Sequence, residues 1–129
     1  MSWLDKICYP LEHPKHEQIH GCLITFRDID SDEIEGKCAL GEIGCYLGFT
    51  PNELFNMRTS EYIKILRKAK VPKWLLEGAN LPRICNADVQ VPVEDGGRNL
   101  DQLLYQLNDE YFTYEEISDF IRTTFEGAV

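Results

Sequence analysis

Five side chains in the first 22 residues are of the types that hold a transition metal: Cys8, His13, His16, His20 and Cys22. From His13 onward they read His-x2-His-x3-His-x-Cys. Zn²⁺ accepts imidazole nitrogen and thiolate sulfur in a tetrahedral set, which makes zinc the cofactor this cluster would take. His16 and His20 share a face only if the stretch is helical. Pro14 interrupts the segment and there is no Cys-x2-Cys pair. The competing expectation is therefore histidines exposed on a polar loop, with the cysteines packed as small hydrophobes and no cofactor. A second candidate is Cys38, which follows Gly36-Lys37 at a helix start. The helix dipole and the lysine would favour its thiolate, and His13, His16 or His20 would supply a base if the strand from residue 21 packs beside that helix. No motif ties a base to this thiol, so no catalytic residue is committed.

Two charged runs carry less. Asp28, Asp30 and Asp32 alternate as calcium-loop ligands do, but Glu33 stands where the loop needs glycine and Ala39 where it needs a bidentate glutamate. That excludes an EF-hand and leaves a solvated acidic turn over residues 28–35. Lys64, Arg67, Lys68, Lys70 and Lys73 make a basic face, either solvated or paired with an acidic partner or with the carboxylates of the C-terminal helix.

These residues hang on one stretch, the glycine- and cysteine-containing segment 36–49. It reads as a helix over 38–48 closed by Gly48. Ala39, Leu40, Ile43 and Leu47 form its apolar arc, Gly41, Gly44 and Gly48 a face without side chains, and Cys38 and Cys45 a third. Glu42 is the only charge after Lys37. A helix so apolar is a buried one. Its glycines cost roughly 1 kcal/mol each against alanine, so a neighbour should approach that face closely.

Around it the pattern predicts a short helix from Ser2 to about Cys8 ended by Pro10, an irregular segment 11–20, and a strand over 21–27. Thr50-Pro-Asn-Glu53 opens a short helix by capping box and N1 proline. Further helices follow from Thr59 to about Ala69 and from Pro72 to Glu77. Residues 81–95 suggest extended edge segments, with Asp95-Gly-Gly97 as a turn. Asn99 precedes a helix whose Leu100, Leu103, Leu104 and Leu107 keep i, i+3, i+4, i+7 spacing, with a break from Asn108. Thr113 and Glu116 form a capping box for the last helix, which is amphipathic through Tyr114, Ile117, Phe120, Ile121 and Phe125.

Gly36-Lys-Cys-Ala-Leu-Gly41 with Cys45 resembles the Tyr-Cys-Cys-Leu-Gly-Val-Leu-Cys segment of a family of small uncharacterised proteins of tailed bacteriophages and prophages. Leu107-Asn-Asp, Tyr111-Phe112 and Glu116-Ile-Ser-Asp119 are similar to that family's Leu-Asn-Asp, Ser-Phe and Glu-Ile-Ala-Asp ending, and Gln18, Gly21 and Leu23 to its Gln, Gly and Leu. Segment 49–97 has no counterpart. Ala39 stands in place of a frequent second cysteine, which removes any role for adjacent thiols. Tyr111 replaces a usual glycine, which would change the loop before the last helix, and Ser118 replaces an alanine. The family carries no assigned activity, so the resemblance implies a fold and a phage-type origin. On the residues themselves, Asn108, Asp109, Thr113 and Glu116 read as turn and cap formers joining two packed helices.

The chain has 129 residues, the size of one domain spanning 1–129, and 43% apolar residues supply a core. A formal charge of -9 argues against direct binding to nucleic acid or to an anionic membrane surface. No apolar run approaches the roughly 20 residues of a membrane span. The start of the chain has no basic segment before an apolar one, and the five cysteines are odd in number and scattered, which fits reduced thiols in the cytoplasm, the host's if phage-encoded. The expectation is an α+β domain of about five helices around the 38–48 helix with a small sheet. Its expected role is that of a non-enzymatic accessory protein binding a host or viral protein. The alternatives are a small zinc-binding domain or a cysteine-dependent enzyme using Cys38.

Overall fold

The computed structural model describes residues 1–28, 33–79, 81, 83–86, 89–91 and 98–128. The fold is α+β. Helix α1 (Trp3–Glu12) precedes β1 (Glu17–Gln18), β2 (Ile24–Phe26) and β3 (Ile34–Lys37); α2 (Ala39–Tyr46), α3 (Pro51–Phe55), α4 (Ile63–Lys68) and α5 (Lys73–Leu76) follow. A two-stranded antiparallel ribbon, β4 (Arg83–Asn86) with β5 (Val89–Val91), leads to α6 (Leu100–Asp109) and α7 (Tyr114–Phe125). The other sheet has the order β1-β3-β2, with β1 parallel and β2 antiparallel to β3. The expected turn at Asp95-Gly-Gly97 and residues 29–32 of the acidic run lie outside the described residues.

Helix α2 sits where its composition says it must. Ala39, Leu40 and Ile43 are fully buried, and Cys38 and Gly44 are buried beside them. Each glycine on its face answers a close neighbour or a special dihedral. A Cβ at Gly41 would stand 2.0 Å from the Leu23 carbonyl oxygen, and one at Gly44 would stand 2.7 Å from a Leu54 methyl. Gly48 has φ +102°, the left-handed region open to glycine.

The structure departs from the sequence expectation at several points. Pro10 does not end α1, which runs on to Glu12: burial of Ile7, Cys8, Pro10 and Leu11 outweighs the backbone bond that proline removes. Ile34 and Glu35 do not belong to a solvated turn over 28–35: with Gly36 and Lys37 they form the central strand of the sheet. Gly36 is buried there because a Cβ would meet Ile19 at 2.5 Å and the Glu17 carbonyl at 2.9 Å. The basic face of α4 is largely exposed, in keeping with the solvated alternative, and its ion pairs are local, Arg67 with Glu77 at 3.5 Å and Lys64 with Glu61 at 2.9 Å. Tyr111 stands in the loop between α6 and α7. It adopts φ +69° itself, and its exposed ring lies 4.2 Å from that of His20.

Helices α1 and α7 close the core from the ends of the chain. Trp3 meets Phe125 edge-on at 6.0 Å, and Arg122 bridges to α1 through Glu12 at 2.7 and 2.9 Å and Asp5 at 3.0 Å. Hydrogen bonds from Arg122 hold both carboxyls below their ordinary values of 3.8 and 4.5. Because the folded-state values are the lower ones, this stabilisation is complete above pH 4.5 and is lost as pH falls through the depressed values. Arg122→Gln should therefore melt below the wild type at neutral pH, with the gap closing in acid; thermal melts at several pH values check it.

Candidate functional site

Four of the residues behind the family resemblance meet at one point. Asn108 is completely buried at the end of α6. Its side-chain oxygen accepts from the Ala39 amide at 3.0 Å and from Gln18 Nε2 at 2.8 Å, and its Nδ2 donates to the Ile19 carbonyl at 2.8 Å. Gln18 also donates to the Phe112 carbonyl at 2.7 Å and accepts from the Tyr114 amide at 3.1 Å. Asp109 accepts from the Gly21 amide at 3.0 Å, and the Tyr114 hydroxyl donates to the Lys37 carbonyl. Asn108 and Asp109 thus do more than form a turn: they tie α6 to the sheet, and Asn108 ties it to the first turn of α2. Thr113 and Glu116 form their reciprocal capping box at 3.0 and 3.1 Å. These residues hold the fold together.

The metal candidates are not brought together. Cys8 is buried in the α1–α7 core, where its thiol bonds the Ser118 carbonyl at 3.8 Å. His13 stacks on Tyr9 at 4.4 Å, His20 lies tilted against Tyr111, and Cys22 is exposed. Among the described residues no three His, Cys, Asp or Glu side chains are grouped to hold a metal ion. Cys8 faces α7 in the core, whereas His13, His20 and Cys22 are exposed.

Cys38 does stand at the N-terminus of α2, but as its cap: the sulfur accepts from the Gly41 amide at 3.4 Å. Burial pushes its thiol up to about 12, and that of Cys8 to about 11, the reverse of activation. A cavity of about 100 Å³ places Cys38 with exposed Cys22, Thr59, Tyr62, Tyr105 and Asp109, and no histidine lines it. In folded protein at neutral pH, iodoacetamide should label Cys22 and spare Cys8 and Cys38; peptide mass spectrometry reads this, and fast labelling of Cys38 would contradict it.

The larger cavity, about 510 Å³, opens between α1 and α2. Tyr9, Pro10, Ile34, Phe49 and Pro51 line it with apolar surface, and His13, Lys15, Lys37, Glu42 and Cys45 with polar groups. The Lys37 and Glu42 side chains are only 3% and 4% exposed and form an ion pair at 3.4 Å. Glu42 Oε1 also accepts from the Lys15 amide at 3.2 Å, whereas its buried Oε2 has no hydrogen-bond partner. Burial raises the Cys45 thiol, and the neighbouring Lys37 charge opposes that rise. Burial and the Lys37 charge also lower His16, whose Nδ1 is buried without a partner. At the mouth, Tyr9 and Tyr46 lie 5.3 Å apart, and the Tyr46 hydroxyl reaches the Met1 sulfur at 3.4 Å.

Lys37, Glu42, Tyr9 and Tyr46 were not candidates from the sequence. Their one signal was Glu42, a lone charge on an otherwise apolar helix, five residues after a lysine. Comparison with known proteins supplies no counterpart: no family model, curated protein or solved structure matches the chain.

Proposed function

We propose that the chain is a non-enzymatic, phage-type accessory protein that binds a host or viral protein through the aromatic face of α1 and α2. The observation that carries this reading is the exposure of Met1, Tyr9 and Tyr46 as one connected strip at the mouth of the larger cavity. Tyrosine and methionine are enriched in protein interfaces, because each carries a large contact area at modest conformational cost. The chemistry of the thiols supports the non-enzymatic half: burial holds Cys8 and Cys38 as neutral thiols, and no histidine lines the cavity beside Cys38. The phage-type half rests on the resemblance, whose Gln18, Gly21, Asn108 and Asp109 act together in this fold. No described helix is long and apolar enough to cross a membrane. The host cytoplasm is the proposed setting.

The test is capture of host and phage proteins with matched baits. A protein retained by the wild type should be lost, by about tenfold or more, on Tyr9→Ala/Tyr46→Ala, since central aromatic residues commonly contribute 2 kcal/mol or more. Equal recovery on both baits contradicts the assignment of this face.

A further inference from the structure

We infer that the α1–α2 cavity is a binding site for a small carboxylate with a flat apolar body. Ligand cavities commonly measure roughly 300–1,000 Å³, with apolar walls and a few polar groups. This one measures about 510 Å³, and Tyr9, Ile34, Tyr46 and Phe49 give it surface that suits an aromatic ring.

The charge left uncompensated decides the head group. Lys15, Lys37 and Glu42 line the cavity together with His13. Lys37 and Glu42 are almost wholly buried and pair with each other at 3.4 Å. Glu42 Oε1 accepts from Lys37 and from the Lys15 amide, and Oε2 is shut away from solvent, so this carboxylate shows a ligand no free oxygen. Lys15 is different. Its side chain is exposed and forms no ion pair among the described residues. His13, also exposed, adds a second positive charge whenever it is protonated and never a negative one. Two lysines against one glutamate leave the cavity with a net charge of plus one. An anion is attracted by that excess, a neutral molecule gains nothing from it, and a cation is repelled. A carboxylate also accepts hydrogen bonds from an ammonium, which has only donors to offer. This inference goes beyond partner binding at the rim and does not rest on it.

Benzoate, benzamide and benzamidinium share one planar shape and carry charges of minus one, zero and plus one. Titrated into ¹⁵N-labelled protein at low salt and followed by amide chemical shifts, benzoate should bind roughly three- to tenfold more tightly than benzamide, with benzamidinium the weakest. The shifts should centre on residues 13–15 and on Cys45 and Tyr46. Salt at about 1 M should bring the three probes level, because it screens exposed charges within a few ångströms. Lys15→Glu reverses the net charge and keeps the backbone amide that holds Glu42, so preference should pass to benzamidinium. Lys15→Met leaves no excess charge, so benzoate should lose its advantage over benzamide. No binding by any probe, equal binding at low salt, or an unchanged ranking in both Lys15 variants overturns the inference. A carboxylate on a partner's surface could fill the same site, so benzoate is also added to the captured complex. Undisturbed capture is expected for a free ligand; displacement would overturn that and assign the carboxylate to the partner. Failure of the probe ranking with partner capture intact would leave the proposed function standing.

Discussion

Alanine at position 41 is expected to lower the melting temperature by on the order of 10 °C, while alanine at position 44 leaves it within a few degrees of wild type. Both substitutions add one methyl to the same face of α2, and both gain roughly 1 kcal/mol of helix propensity. They differ in what the methyl meets. At Gly41 it would lie 2.0 Å from the Leu23 carbonyl oxygen, a backbone atom that also accepts the Cys38 amide at 3.0 Å. Neither the strand nor the helix turn can move without breaking that bond, so overpacking of about 2–3 kcal/mol net is expected. At Gly44 the methyl would lie 2.7 Å from Leu54 Cδ2, the end of a side chain that can shift. For a domain this size each kcal/mol moves the midpoint by roughly 3–5 °C. Calorimetry of the two variants checks the contrast. Equal effects would mean that α2 does not ride directly on the β2 backbone.

Asn108→Ala is expected to be at least as damaging, about 3–4 kcal/mol. The loss exposes no surface. Instead it leaves the Ala39 amide, the Ile19 carbonyl and one Gln18 donor contact without their partner, inside a network that is buried at its centre. Asn108→Asp should be no better, because it deletes the donor to Ile19 and introduces a buried charge. Chemical denaturation measures both; a shift under about 1 kcal/mol for Asn108→Ala would show that the three elements are held by apolar packing alone.

These two sites also show how far the sequence could be read. The need for a close neighbour at Gly41 and Gly44 followed from helix propensity, and the capping boxes at Thr50 and Thr113 followed from local hydrogen-bond chemistry. Both are decided within a few residues. What could not be read depends on distant partners. β1 has two residues and β3 four, too short for a period, and β3 follows an acidic run that reads as solvent-facing. Asn108 looked like an end-of-helix residue because its bonds run to residues 69 and more positions away. The site was the least legible part. Lys37 and Glu42 flank the start of α2, and only the fold turns two ordinary charges into a buried pair beneath an aromatic rim.

The central claim is that this aromatic face of α1 and α2, and not a thiol centre, is the working surface. Hydroxyl-radical footprinting of the complex with a captured partner tests it most directly, because exposed aromatic and sulfur side chains are the ones that react. The account predicts that Met1, Tyr9 and Tyr46 become protected while Trp74 and Tyr111, also exposed, keep their free-state reactivity. Protection centred on Cys22 and Tyr62, with Tyr9 and Tyr46 unchanged, would contradict it and move the function to the smaller, thiol-lined cavity.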